Sequence, residues 1–188
     1  MLNKLSNTLI NQSKLWKIFL LLAIMVALFM SLPAFESYFQ ITDMASLDEL
    51  QFYSSDDIYQ ILDQWGTEGQ RQQMFFHFTW DLALPITYFF FLAYLFSWLT
   101  KRGFKQDNPL QKLNLLSLVA VVDILENLSM LALVLLYPTE IQVLAFLKTA
   151  FTLIKFYIFG PLISLGLFVS IIATIKNSIF KAKKKERN

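Results

Sequence analysis

The sequence predicts an all-α protein, an antiparallel bundle of four transmembrane helices with a short amphipathic helix outside the membrane. Three observations predict this fold: hydrophobic residues make up 56% of the chain, four apolar runs are long, and the connections alternate in charge. A membrane-spanning helix needs about 20 mostly apolar residues. The runs lie at about 15–33, 75–99, 113–137 and 141–175. We expect residues 1–188 to form a single membrane domain, in which the long last run tilts, kinks or projects beyond the bilayer.

The charges of the connections predict the orientation of the spans. Basic residues predominate before the first run, in the 101–112 loop and in the tail at 176–188. The segment 34–73 instead carries eight acidic residues against one basic residue, Arg71. Because cytoplasmic loops are enriched in Lys and Arg, both termini are predicted to be cytoplasmic and the 34–73 segment to lie outside. The basic tail is expected to contact anionic lipid headgroups.

A cleaved signal peptide is the alternative for the first run. The run follows basic residues and is followed by small ones, as in a secretory signal. However, Leu32 stands where a small residue is expected before a cleavage point at Ala34. We therefore predict a retained helix, and cleavage would leave three spans in the same orientation.

The outer segment 34–73 is predicted to contain a short amphipathic helix. A serine at the N-cap, two acidic residues in the first turn and Gly66 at the end mark its limits. Its apolar residues follow helical spacing, and they are Ile58, Ile61, Leu62 and Trp65. Thr67 and Gln70 have the spacing of a capping box and are predicted to open the helix of the second span. The outer helix would lie on the bilayer, cap the bundle, or act as a lid over a cavity.

The third run places three polar residues on one helix face. Asp123, Glu126 and Asn127 are spaced i, i+3 and i+4, so they cannot all face lipid without a cost of several kcal/mol. On the fourth run, Lys148 and Lys155 are two turns apart on one face, with Thr152 between them. Counting about 1.5 Å per residue from the 137–141 turn puts Asp123 level with Lys155, and Glu126 or Asn127 between the two lysines. The sequence therefore predicts one polar core between these spans.

The second run adds polar groups at a similar depth. His77 and Asp81 are four residues apart, and Tyr88 lies two turns further along. Pro85 has no N–H, so the carbonyl of Asp81 loses its helical partner; Pro161 does the same for the carbonyl of Tyr157. Groups freed in this way are tolerated in membranes only where protein or water satisfies them. The predicted ligand-binding residues are Asp81, Tyr88, Asp123, Glu126, Asn127, Lys148 and Lys155.

Several chemistries remain open for this core. His77, Asp81 and Glu126 would supply three nitrogen or oxygen ligands to a metal ion. Asp81 and Glu126 would serve as acid and base in a lipid-modifying enzyme, although no nucleophile is apparent. The chain has no Cys and only one His, and it lacks phosphate-binding and dinucleotide-binding motifs, so no cofactor is expected. Nucleic acid is not an expected partner, because the basic tail is short and lacks interleaved aromatic residues.

The sequence "GTEGQ…WDLALPITY" followed by "VVDILENL" resembles a family of small bacterial four-span integral membrane proteins of unassigned function. The shared elements are Gly-x-x-Gly, an Asp followed by Pro and Tyr, and Asp-x-x-Glu-Asn. The resemblance covers about the middle third of the chain and implies the fold and a bacterial cytoplasmic membrane, not an activity. It points to eight positions: Gly66, Gly69, Asp81, Pro85, Tyr88, Asp123, Glu126 and Asn127.

The leading functional hypothesis is a polar intramembrane pocket that opens to the outside and binds an ion, a proton or a small polar headgroup for transport or sensing. A lipid-modifying enzyme is the second hypothesis. The third is an accessory subunit in which the polar residues are buried ion pairs that only determine which helices touch. The lipid bilayer is the expected partner, and the sequence predicts no particular protein partner.

Overall fold

The computed structural model describes residues 1–39, 54–105 and 108–186, and in these ranges every long segment is helical. Four of the described segments are long and apolar enough to cross a membrane, namely Leu15–Ala34, Ser55–Gly103, Pro109–Leu136 and Gln142–Lys184. The helices are α1 (Leu2–Gln12), α2 (Leu15–Phe39), α3 (Ser55–Phe78), α4 (Trp80–Gly103), α5 (Val119–Leu136), α6 (Gln142–Leu153) and α7 (Gly160–Glu186), with a 3-10 helix at Pro109–Leu118 and a π-helix at Ile154–Phe159. The all-α fold and the four apolar segments are thus confirmed. The acidic residues at positions 40–53, which belong to the predicted outer segment, lie outside the described ranges.

Helix α4 is the centre of the fold, since it packs against α1, α2, α3, α5, α7 and the 3-10 helix. Its contact with α7 is close: a Cβ atom on Gly103 would lie 2.9 Å from the Cβ atom of Ala173. Small residues allow such close approach of helix backbones. The hydroxyl of Thr174 donates to the carbonyl of Leu99, and the amide of Asn177 donates to the carbonyl of Gly103. The side chains of α7 therefore hydrogen-bond to backbone carbonyls in the last turns of α4.

The two ends of the molecule differ in charge. At one end, which we call the acidic end, the start of α3 meets the turn between α5 and α6: the Tyr137 hydroxyl lies 2.8 Å from Asp63, and the N–H of Ile141 donates to the Tyr59 hydroxyl. At the other end, the basic end, Lys17 lies over the ring of Tyr94. Arg102 and the last turns of α7 are also at the basic end.

Helix α1 at the basic end was not predicted, because the sequence analysis treated the residues before the first run only as a basic segment. The helix packs against α4 and the 3-10 helix. Its Ser6 hydroxyl donates to the side chain of Asn114, whose amide donates to the hydroxyl of Ser97. All three residues are buried, so these hydrogen bonds join α1, the 3-10 helix and α4.

The predicted amphipathic helix forms the first part of α3. Ser54 is its N-cap: the Asp57 N–H donates to the Ser54 hydroxyl, and the Ser54 N–H and hydroxyl donate to the Asp57 carboxylate. These donors hold the pKa of Asp57 below its usual value. The apolar face, which contains Ile58, Leu62 and Trp65, is buried with Met130 and neighbouring residues of α5 and α6. The helix therefore caps the α5–α6 hairpin.

The helix boundary predicted at Gly66 is confirmed, because two helical stretches of α3 meet there at a residue with non-helical backbone angles. Gly66 has φ 58° and ψ −177°, and α3 continues on both sides of it. This conformation is accessible almost only to glycine. The side-chain amide of Gln70 donates to the carbonyl of Leu62 across the kink. Gln70 thus satisfies a carbonyl of the preceding helical stretch. Its side chain bonds to Leu62, not to Thr67 as the predicted capping box required.

Three predicted spans are less regular than the apolar runs suggested. The second run, predicted as one helix at 75–99, is interrupted at Thr79 between α3 and α4. The third run begins in the 3-10 helix, and the fourth contains α6, the π-helix and α7. At the end of the π-helix the N–H of Gly160 donates to the carbonyl of Lys155, five residues earlier. This widening directly precedes Pro161, whose ring and missing N–H prevent a regular α-helical turn there.

A buried charge network as candidate functional site

Two carboxylates of α5 meet two lysines of the following helices. The Lys155 Nζ lies 2.7 Å from the Asp123 Oδ1 and 2.6 Å from the Glu126 Oε2. The Lys148 Nζ lies 3.3 Å from the Glu126 Oε1. We call these four residues the charge network. The predicted register is confirmed: Asp123 is level with Lys155, and Glu126 lies between the two lysines.

Two hydroxyl groups also hydrogen-bond to the carboxylates of the network. The Tyr88 hydroxyl on α4 donates to the Asp123 Oδ2 at 2.8 Å, so α4 is joined to the network. The Thr152 hydroxyl on α6 lies 2.6 Å from the Glu126 Oε1. Tyr88 was among the predicted site residues. Thr152 was noticed between the lysines but not predicted to take part, although its position one turn after Lys148 was the signal that could have identified it.

The network is buried unevenly. The side chains of Glu126 and Lys148 are each 2% exposed, whereas those of Asp123 and Lys155 are 10% and 20% exposed. Burying a charge is costly unless it is paired and hydrogen-bonded, and removing one partner of a buried pair leaves an uncompensated charge. The stability of the Glu126–Lys148 pair, which is the more buried of the two, therefore depends most on its partners. The Asp123–Lys155 pair is the more exposed part of the network.

A second ionisable pair spans the interruption between α3 and α4. The His77 Nδ1 lies 2.7 Å from the Asp81 Oδ2, and both side chains are mostly buried. The side-chain amide of Asn127 donates to the backbone carbonyl of Asp81 at 2.9 Å. This is the carbonyl that Pro85 deprives of its helical partner. The predicted free carbonyl is thus satisfied by α5, through the amide that the sequence analysis had placed on the same face as Asp123 and Glu126.

The two pairs belong to one electrostatic environment. The carboxylates of Asp123, Glu126 and Asp81 all interact electrostatically with the Tyr88 hydroxyl. The structure therefore brings together the seven residues predicted to bind a ligand, on α4, α5, α6 and the π-helix. These seven residues include three acidic side chains and two lysines, and His77 of α3 contacts one of the acidic side chains, Asp81. Whether they bind a ligand stays a prediction at this point.

The predicted metal site is not formed. His77 and Asp81 are in contact, but the oxygens of Glu126 face Lys148, Lys155 and Thr152. Within residues 1–39, 54–105 and 108–186, no group of three or more His, Asp or Glu side chains is arranged to hold a metal ion. The physical reason is that each lysine ammonium occupies the position next to Glu126 that a cation would take. The same arrangement bears on the hypothesis of a lipid-modifying enzyme. The carboxylates of Asp81 and Glu126, its expected acid and base, are paired with His77 and with the two lysines.

Two cavities lie near the acidic end, away from the network. One, of about 380 Å³, is lined by Arg71, Gln72, Met74, Phe75, Phe78, Leu131 and Leu135. The other, of about 550 Å³, is lined by Asp56, Tyr59, Gln60, Asp63, Tyr137 and Glu140. Neither of these two cavities is lined by Asp81, Glu126 or Lys148. The predicted opening from the polar core to the outside is therefore not formed by either of them.

Coupling between Asp123 and Lys155 can be measured with a double-mutant cycle in detergent. We expect Asp123→Asn or Lys155→Met alone to lower the free energy of unfolding by about 3–5 kcal/mol, because each leaves the charge network with one uncompensated buried charge. The double variant retains the balanced Glu126–Lys148 pair, so it should lose clearly less than the sum of the single losses.

The control for this cycle is the exposed pair of Glu68 and Arg71, whose side chains are 65% and 73% exposed. Because exposed pairs are screened by solvent, Glu68→Gln and Arg71→Met should leave the unfolding midpoint unchanged and show no coupling. Additive losses for Asp123 and Lys155 would show that the two side chains do not stabilise each other.

Comparison with known proteins neither supports nor contradicts this geometry. The chain matches no protein-family model, no curated protein and no solved structure. The resemblance to small bacterial four-span membrane proteins therefore stays a prediction. The evidence for a functional site is the arrangement of the charged side chains themselves.

Proposed function

We propose that the chain is an integral membrane protein whose four apolar segments cross the bilayer as an antiparallel bundle. The exposure of its apolar side chains supports this proposal: only 6% of the apolar window of Leu15–Ala34 and 11% of that of Gln142–Lys184 are buried. Large side chains such as Phe19 and Phe168 are more than half exposed and would otherwise face water. The contacts between α4 and α5 also support the antiparallel arrangement. Asp81 contacts Asn127, whereas Tyr88, later in the chain, contacts Asp123, which is earlier in the chain.

The charge difference between the two ends supports an orientation with the basic end in the cytoplasm. Both termini would then be cytoplasmic, and the acidic end would face the other side of a bacterial cytoplasmic membrane. The basic tail of α7 would lie against anionic headgroups of the inner leaflet. Trp98 and Arg102, which stack at 3.8 Å, would sit at the inner interface, where amphipathic aromatic side chains are enriched.

Reporter fusions test this orientation directly. We expect a fusion after Asn188 and a fusion within the 101–112 loop both to report the cytoplasm, because these regions carry the excess of positive charge. An insertion at Asp56, before the first turn of α3 is complete, should report the opposite side. A cytoplasmic signal at Asp56 would contradict the orientation and with it the assignment of the acidic end.

The proposed activity is the reversible binding of a proton by the polar core, in the service of transport or sensing. A single observation carries it: the core holds three carboxylates, on Asp81, Asp123 and Glu126, against two lysine ammonium groups. A net charge in a membrane interior is costly, so the core favours uptake of one further positive charge. The imidazole of His77, at 2.7 Å from Asp81, is the group that can accept a proton and balance the core.

The contacts within the core connect binding of a proton to the packing of the helices. Asp81 lies just after the interruption at Thr79, and its carbonyl is bonded to Asn127 on α5. A change of charge at Asp81 therefore acts at the junction of α3 and α4 and on the helix that carries the charge network. Lys155, in the π-helix, is the most exposed member of that network. These two places are where protonation would alter helix packing.

An accessory membrane subunit is the second candidate, and the completeness of the pairing favours it. Each of the four residues of the charge network has an oppositely charged neighbour within 3.3 Å. Paired groups of this kind can hold helices together without any ligand. The two candidates differ in one respect: the accessory role requires no exchange of the proton on His77 and Asp81.

Asp81→Asn separates the two candidates. The amide keeps an oxygen that can accept from the imidazole, but it removes one negative charge, so the core is balanced without a proton. We expect the melting temperature of the wild type in detergent to fall as rising pH removes the proton that stabilises the folded protein. In Asp81→Asn this fall should be absent, because the core is balanced without that proton.

The matched control is Asp63→Asn at the acidic end, where the carboxylate contacts Tyr137 and lies outside the polar core. This variant should retain the pH dependence of the wild type near neutrality. Parallel curves for the wild type and Asp81→Asn would return Asp81 to a purely structural role and favour the accessory subunit.

A further inference from the structure

The 380 Å³ cavity between α3 and α5 is an apolar groove with a charged rim. Its wall is formed by Met74, Phe75 and Phe78 of α3 and by Leu131 and Leu135 of α5. From Arg71 at the rim to Phe78 the helix rises about 10 Å, which gives the groove its length. Its volume is within the range of about 300–1,000 Å³ that is usual for small-molecule sites. The groove can therefore hold a flexible apolar chain that runs parallel to the helices.

The rim of the groove carries one positive and one negative charge side by side. The Arg71 Nε and Nη2 donate to the Glu68 carboxylate at 3.2 Å and 2.9 Å. A guanidinium has five N–H groups, so this pair leaves donors that can serve a phosphate. Both side chains are largely exposed, and exposed ion pairs are weak enough to rearrange around a ligand. The Glu68 carboxylate is an acceptor for an ammonium group placed next to that phosphate.

We infer that the groove binds a zwitterionic phospholipid, with one acyl chain along Phe75 and Phe78, its phosphate on Arg71 and its ammonium on Glu68. The charges around the rim favour this headgroup over an anionic one, because Asp56, Asp63 and Glu140 line the neighbouring cavity of the acidic end. The inference depends on the proposed membrane insertion but not on proton binding, since the groove and the charge network share no residue.

The experiment is native mass spectrometry of delipidated protein titrated with phosphatidylethanolamine, phosphatidylglycerol or diacylglycerol of identical chains. We expect one saturable lipid, bound most tightly for phosphatidylethanolamine and most weakly for diacylglycerol. Arg71→Gln should weaken phosphatidylethanolamine binding about tenfold or more, through loss of a charge-assisted hydrogen bond. Glu68→Gln should remove the preference for phosphatidylethanolamine over phosphatidylglycerol.

Two matched variants test the groove itself. Leu135→Trp places a larger side chain in the groove and should abolish saturable binding, whereas Leu125→Trp, on a face of α5 that does not line the groove, should retain it. Arg102→Gln at the basic end is the control for loss of an arginine. Equal binding of the three lipids, equal binding by Arg71→Gln, or a dimer that dissociates when Leu135 is changed would overturn the inference.

The failure of this inference is distinguishable from failure of the proton proposal. Asp81→Asn should bind the lipid as the wild type does, and Arg71→Gln should retain the pH dependence of the melting temperature. Loss of lipid binding in Asp81→Asn would overturn the assignment to the groove, because it would place the lipid at the polar core.

Discussion

The ion pairs of Lys155 with two carboxylates of α5 are the interaction on which the rest of the core depends. One ammonium lies within 2.7 Å of both Asp123 and Glu126, so it joins two charges that are almost a full helical turn apart. Buried charges are tolerated only with such partners. A shift of α5 against the following helices would separate these groups, and a change in register would therefore be strongly unfavourable. The same contacts place Glu126 against Lys148 and Asp123 against Tyr88 of α4.

The backbone of α4 is tied to this core by its proline. Pro85 leaves the Asp81 carbonyl without a helical donor, and the amide of Asn127 supplies one. The carboxylate of the same residue contacts His77 on the other side of the interruption at Thr79. Asp81 thus connects a weak point of the helix backbone to the charge balance of the core. This connection is the reason that we assign the exchangeable proton to the His77–Asp81 pair rather than to the fully buried Glu126–Lys148 pair.

Sequence periodicity predicted the contacts that follow from regular helices. The common face of Asp123, Glu126 and Asn127 and the levels of Lys148 and Lys155 require only a rise per residue and an antiparallel hairpin. The free carbonyl of Asp81 follows from the chemistry of proline alone. The π-helix, the interruption at Thr79 and helix α1 were not predictable in this way. Helix α1 depends on a tertiary partner, since its Ser6 bonds to Asn114, more than 100 residues away in the chain, and no local pattern records such a contact.

The central claim, that the core holds an exchangeable proton on its single histidine, is tested most directly by nitrogen NMR of protein with labelled histidine. Because His77 is the one histidine in the chain, the spectrum contains one imidazole and needs no assignment. The account predicts that, at one and the same pH, both ring nitrogens carry protons in the wild type and only one does in Asp81→Asn. The same protonation state of the imidazole in both proteins across the pH range in which they stay folded would contradict the account.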